Sequence, residues 1–215
     1  MGLYYGIMNL TPIDPGLLPG VLAGFARHFE SDPASAAALA RIAATAGARP
    51  GDYDLPEHRE AAVALVAAFG LQAIDEYPAQ AYSWDGGAVR IRSEASVLIH
   101  EVAHWLLAPP ERRTLPDFGL GAGPETGRVA EAEAARCVSQ AEKEEEELLS
   151  SLLGILWEAE LGQPAIFSFV EQNWLEAWER PAAGEQFART VHALLTRGLI
   201  APDGRPVPAR ARVSA

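Results

Sequence analysis

Apolar residues recur along most of this chain at helical spacing, in runs separated by Gly and Pro. Leu18, Val21, Leu22, Phe25 and Phe29 predict a first helix over residues 17–29. Ser31-Asp32-Pro33 offers an N-cap and a first-turn proline to an alanine-rich second helix over 34–46. A third is predicted from Pro56 to Phe69, closed by Gly70, with His58 a surface residue in its charged first turn. After the turn Asp85-Gly86-Gly87, the stretch Ala88-Val89-Arg90-Ile91-Arg92 alternates as an edge strand would. Such a strand beside a catalytic helix can bind extended peptide by strand addition. Residues 97–108 form an apolar helical run stopped by Pro109-Pro110. A long helical pattern then spans 125–162, and a last helix spans 185–197, ended by Gly198. The first twenty residues, rich in Gly and Pro, read as an irregular arm with a short strand near 3–8. The tail from Pro206 reads as extended or disordered.

The chemistry concentrates in His100-Glu101-Val102-Ala103-His104. Positions i and i+4 share a helix face, so His100 and His104 can present ring nitrogens to one ion. Glu101 is rotated about 100° away, where it can reach a water activated by that ion without being a ligand. Two histidines need a third protein ligand, and the acidic run Glu142-Lys143-Glu144-Glu145-Glu146-Glu147 can supply one. Glu147 is the first choice, because Ser150, Ser151 and Gly154 on its side would let the two helices approach closely. Glu144 lies one turn earlier, and Glu145 lies in line with the leucine stripe; both stay open. Arg112, Arg113 and Asp117 follow the metal helix and could grip a substrate carboxylate or form a solvated, salt-bridged turn. His192 is the other histidine with a claim on the site, against its simpler reading as a packed or surface residue.

Composition narrows the possibilities. A formal net charge of −12 argues against a nucleic-acid partner and is compatible with a basic one. Cys137 is the sole cysteine, which excludes a disulfide framework or a cysteine-based zinc knot and reads as a small buried apolar side chain. The N-terminus lacks the features of a signal peptide and no apolar run reaches membrane-span length, so a soluble cytoplasmic protein is expected.

From the metal helix onward the chain resembles the elongation factor P hydroxylase family. The resemblance is carried by Ala95-Ser96-Val97-Leu98-Ile99-His100-Glu101-Val102-Ala103-His104-Trp105, by Glu111-Arg112-Arg113 and by Asp117-Phe118-Gly119. It resumes in the Glu147 helix and in Phe187-Ala188-Arg189-Thr190-Val191-His192-Ala193, covering about residues 88–210. It does not extend to the first 85 residues. It implies a metal held by His100, His104 and Glu147, with Arg112, Arg113 and Asp117 in the site wall and Glu101 beside the ion. It further implies an elongation factor P-like protein or peptide as partner. The fold expected is α+β and predominantly helical: a zincin-like metal helix with a small edge strand or sheet (residues 86–215) behind a helical N-terminal extension (1–85). The two parts either stand apart or share one core.

Three functions compete. The preferred one is an Fe2+-dependent hydroxylase of a lysine-like protein side chain, since two histidines and one carboxylate leave open positions for dioxygen and substrate. The second is a Zn2+ peptidase with Glu101 as general base, needing an electrophile such as His192 or Arg112. The third is a non-catalytic metal-binding module.

Overall fold

The computed structural model describes residues 13, 14, 16–78, 83–123 and 126–208. Within them lie eight α-helices and two strands. In chain order these are α1 (Leu18–Ala26), α2 (Pro33–Ala43), α3 (Pro56–Ala68), β1 (Gln72–Ile74) and β2 (Ala88–Arg90). There follow α4 (Ala95–Leu107), α5 (Val129–Ala135), α6 (Gln140–Glu160), α7 (Ala165–Glu171) and α8 (Pro181–Thr196). The fold is therefore α+β and predominantly helical. The expected strand near residues 3–8 lies outside the described residues, as does the tail from 209. The start of that tail is paired, because Val207 N–H donates to the Leu199 carbonyl at 2.9 Å.

Local chemistry sets the helix ends. The Asp32 carboxylate accepts from Ser35 N–H at 3.2 Å and Pro33 occupies the first turn, so α2 starts at its predicted cap. Gly70, at φ +77°, closes α3. The single long helix expected over 125–162 is instead two. Ser139 Oγ accepts from Glu142 N–H at 3.3 Å, and the Glu142 carboxylate accepts from Ser139 N–H at 2.8 Å. This reciprocal cap begins α6 afresh and leaves Arg136–Ser139 as a connector after α5. Cys137 falls in that connector and is exposed, not buried as expected.

The core is built on α4 and α6. Gly154 of α6 lies against the backbone of His100, so close that a Cβ there would sit 3.6 Å from the His100 Cα. The helices run antiparallel: the start of α6 meets His104, and its end shares a small cavity with Ser96. One hydrophobic cluster continues from Val21 on α1 to Ile200 beyond α8, across residue 85. Phe25 and Phe29 from the N-terminal part interleave their rings with Phe169 and Phe187. The N-terminal part also caps the metal helix, since Asp54 Oδ1 accepts from Ala95 N–H at 2.9 Å.

The expected strand is present, as part of a small two-stranded sheet. β2 pairs in parallel with β1, matching Ala73 to Val89, and all three of its residues are buried. Its other side is occupied by the segment at Ser83–Asp85, where Arg90 N–H donates to the Ser83 carbonyl at 3.1 Å and Trp84 bridges Val89. Arg90 is buried because Asp85 holds its guanidinium at 2.7 Å. The segment at Ser83–Asp85 thus partly covers the far side of β2.

Candidate metal centre

α4 brings the two histidines onto the face that packs against α6, as the i,i+4 spacing requires. Their Nε2 atoms lie 3.0 Å apart. Glu147 Oε2 lies 3.6 Å from Nε2 of His100 and 3.5 Å from Nε2 of His104. The circumcentre of the triangle with sides 3.0, 3.5 and 3.6 Å is about 2.0 Å from each donor, the length of a zinc–nitrogen or zinc–carboxylate bond. The three side chains could hold a metal ion, and no other such group occurs among the described residues. The donor set fits a divalent ion with open positions: two imidazoles, one carboxylate, no thiolate.

Of the alternative ligands, Glu144 lines the same cleft but is bonded by Gln140 Nε2 at 2.8 Å. Glu145 points away, to Arg197 at 3.2 Å. Helical phasing explains the outcome, because Glu147 shares the α6 face of Ser151 and Gly154 that abuts α4.

The triad sits in the wall of a cleft of about 710 Å³ that Glu101 and Asp117 also line. Five carboxylates face it: Glu101, Asp117, Glu144, Glu147 and Glu171. Among the described residues the one lysine or arginine in the lining is Lys143, and its Nζ donates to the Ala122 carbonyl at 2.8 Å. Asp117 adopts φ +44° and accepts a short hydrogen bond from Thr126 Oγ1. Burial pushes its carboxyl up, against the lowering effect of Thr126.

The histidines differ in setting. His100 is 28% exposed at the side chain, and burial lowers its ring below the usual histidine value. His104 is only 6% exposed. Burial would depress it too, but the charge of Glu147 and the close approach of the Glu146 and Glu147 carboxylates outweigh that and carry it up to about 10. Burial likewise opposes ionisation of Glu147, and the two histidines overcome it and hold its carboxyl far below the carboxylate range. These shifts favour the protonated ring at His104 and the ionised carboxylate at Glu147.

Behind His104 stand Phe118 and Arg112, which the sequence pointed to, and Trp84 and Glu146, which it did not. Phe118 stacks on its ring at 5.6 Å, and Trp84 stacks on Phe118 at 5.4 Å. Glu146, one of the run of glutamates that reads as solvated, is half-buried with Oε1 3.5 Å from His104 Nδ1. Arg112 donates to the other Glu146 oxygen. Arg112 is therefore not in the cleft wall, contrary to expectation; it lies on the far side of His104. Arg113 donates to the Ala108 carbonyl at 3.0 Å and covers Trp105 at 4.7 Å, which closes the C-terminus of α4. His192 is remote from the site, bonded to Asp32 at 2.9 Å between α8 and the start of α2. His58 is half-buried, accepts from Leu55 N–H at 3.3 Å and is no ligand.

Comparison with protein-family models, with curated proteins and with solved structures finds no match to this chain.

Proposed function

We propose that this chain is a metal-dependent hydroxylase that acts on a lysine-like side chain of a protein or peptide, with Fe2+ held by His100, His104 and Glu147. The observation that carries this reading is the composition of the cleft: a two-histidine, one-carboxylate donor set facing an acidic wall whose single lysine is already bonded. Iron(II) in such a donor set supplies dioxygen activation. Overall, one oxygen atom would enter a C–H bond and the other leave as water, with two electrons from an external reductant and two protons from solvent.

The chain's own residues have definable parts. Glu101 and Glu171 can bind and orient a cationic side chain entering the cleft, and Leu148, Val97 and Trp174 contact its methylenes and exclude water. Asp117, pushed toward its protonated form by burial, can donate or accept a proton at the cleft wall. The resemblance to the elongation factor P hydroxylase family points to an elongation factor P-like partner.

A zinc peptidase is the second reading, favoured by Glu101 in the same cleft, where it would serve as general base. Neither electrophile expected for it faces the ion: Arg112 stands behind His104 and His192 bonds Asp32. The two readings separate on one assay. Protein reconstituted with Fe2+ and reductant should consume dioxygen and add the mass of one oxygen atom to a lysine-containing protein substrate. Cleavage of a peptide pool by the zinc form, lost in Glu101→Gln, would instead establish the peptidase.

A further inference from the structure

Resting on the metal reading above, we infer that Glu146 and Arg112 form a positioning pair that sets the orientation and tautomer of His104. The starting observation is two orphaned atoms. His104 Nδ1 and Glu146 Oε1 are both buried, and neither has a hydrogen-bond partner among the described residues. They face each other at 3.5 Å, a few tenths of an ångström beyond hydrogen-bond length. Two buried polar groups so placed each cost stability unless they pair. A slight rotation of the imidazole pairs them, with Nδ1–H donating to the carboxylate, and leaves the Nε2 lone pair for the ion.

The rest of the arrangement fixes the carboxylate. Arg112 Nη2 donates to Glu146 Oε2, and Arg112 Nη1 donates to the Phe118 carbonyl at 3.0 Å. The guanidinium thus ties α6 to the backbone of the residue whose ring stacks on His104. His104 is held at its face by Phe118 and at its edge by Glu146, and one arginine anchors both holders. A charged fork of this kind suits arginine and not lysine, since two acceptors must be met in fixed directions. Both arms lie on the side of His104 away from the substrate cleft, and neither Arg112 nor Glu146 lines that cleft. They are positioning residues, which act through His104. His100, more open, has no counterpart to this support among the described residues.

Zinc affinity, measured by competition with a chromophoric chelator, tests the inference without any activity assay. Glu146→Ala should bind zinc about 10–100-fold more weakly than wild type. Glu146→Gln, which keeps an oxygen acceptor for Nδ1–H, should recover part of the loss. Arg112→Lys should fall between wild type and Glu146→Ala. In the zinc-loaded wild type, the His104 Nδ1–H proton should give a sharp, slowly exchanging NMR resonance that broadens away in Glu146→Ala. Melting of the metal-free forms tells this from general damage, because a purely structural loss lowers stability without moving that resonance. If all variants bind zinc like wild type and keep the resonance, the positioning role is wrong while the metal site stands. If wild type binds no zinc, the metal reading itself falls.

Discussion

The two ends of the α4–α6 interface bury the same kind of side chain and treat it in opposite ways. Glu147 and Glu158 are three helical turns apart on α6, a rise of about 16 Å, and so lie on nearly the same face. At the metal end, burial of Glu147 is outweighed by His104 and His100, and the carboxyl is held far down. At the far end, burial of Glu158 meets no cation. Ser168 Oγ donates to it at 2.8 Å, but desolvation wins, helped by the charge of Glu171, and the carboxyl rises to about 8. A buried carboxylate is ionised where imidazoles neutralise it and a neutral acid where only a hydroxyl is at hand. Protonation along this interface follows the charge of the partner.

That contrast can be broken most visibly at Glu158. Between the unfolded value near 4.5 and the folded value near 8, the native protein keeps a proton that the unfolded chain has lost. Stability should therefore fall as pH rises through that window and level off above it. At pH 7 the cost is on the order of 3 kcal/mol. Urea denaturation should show Glu158→Gln more stable by up to that amount at pH 7, with the advantage gone at pH 4. An unchanged pH profile would mean that Glu158 is ionised and paired.

The middle of the interface gives the next effect. A Cβ at Gly154 meets His100 Cα at ordinary contact distance, so Gly154→Ala should leave zinc binding nearly intact. The branched side chain of Gly154→Val has to push His100 aside, at about 1–3 kcal/mol of combined stability and metal affinity. Equal zinc affinity in the two variants would show that the helices do not meet there. The smallest effect is continuous with pH. Zinc must displace the proton on His104, so affinity should rise with pH, by at most about tenfold per unit. Isothermal titrations in buffers of different ionisation enthalpy would count that proton, and a count of zero would contradict a protonated His104.

How much of this was legible in the sequence differs by residue. The histidine pair and its helix follow from spacing alone, and Glu147 follows from the small residues on its face. Glu146 did not stand out, because in one dimension it is one of a run of glutamates; its role depends on Arg112 folding back from a loop 34 residues earlier. Arg112 itself was misplaced for the same reason, since a residue after the metal helix can end on either side of it. The break between α5 and α6 was written in Ser139-x-x-Glu142, but the helical periodicity on both sides masked it. β1 is three residues long and takes its strand form from pairing with β2, so it has little pattern of its own.

The central claim is that His100, His104 and Glu147 together hold one ion. Titrating the metal-free protein with zinc against a competing chelator tests it most directly. Wild type should bind one equivalent, and His100→Ala, His104→Ala and Glu147→Gln should each lose it, while Glu145→Gln and Glu144→Gln should bind as wild type does. Retention of zinc by the histidine variants, or its loss in Glu145→Gln with Glu147→Gln unaffected, would contradict the assignment.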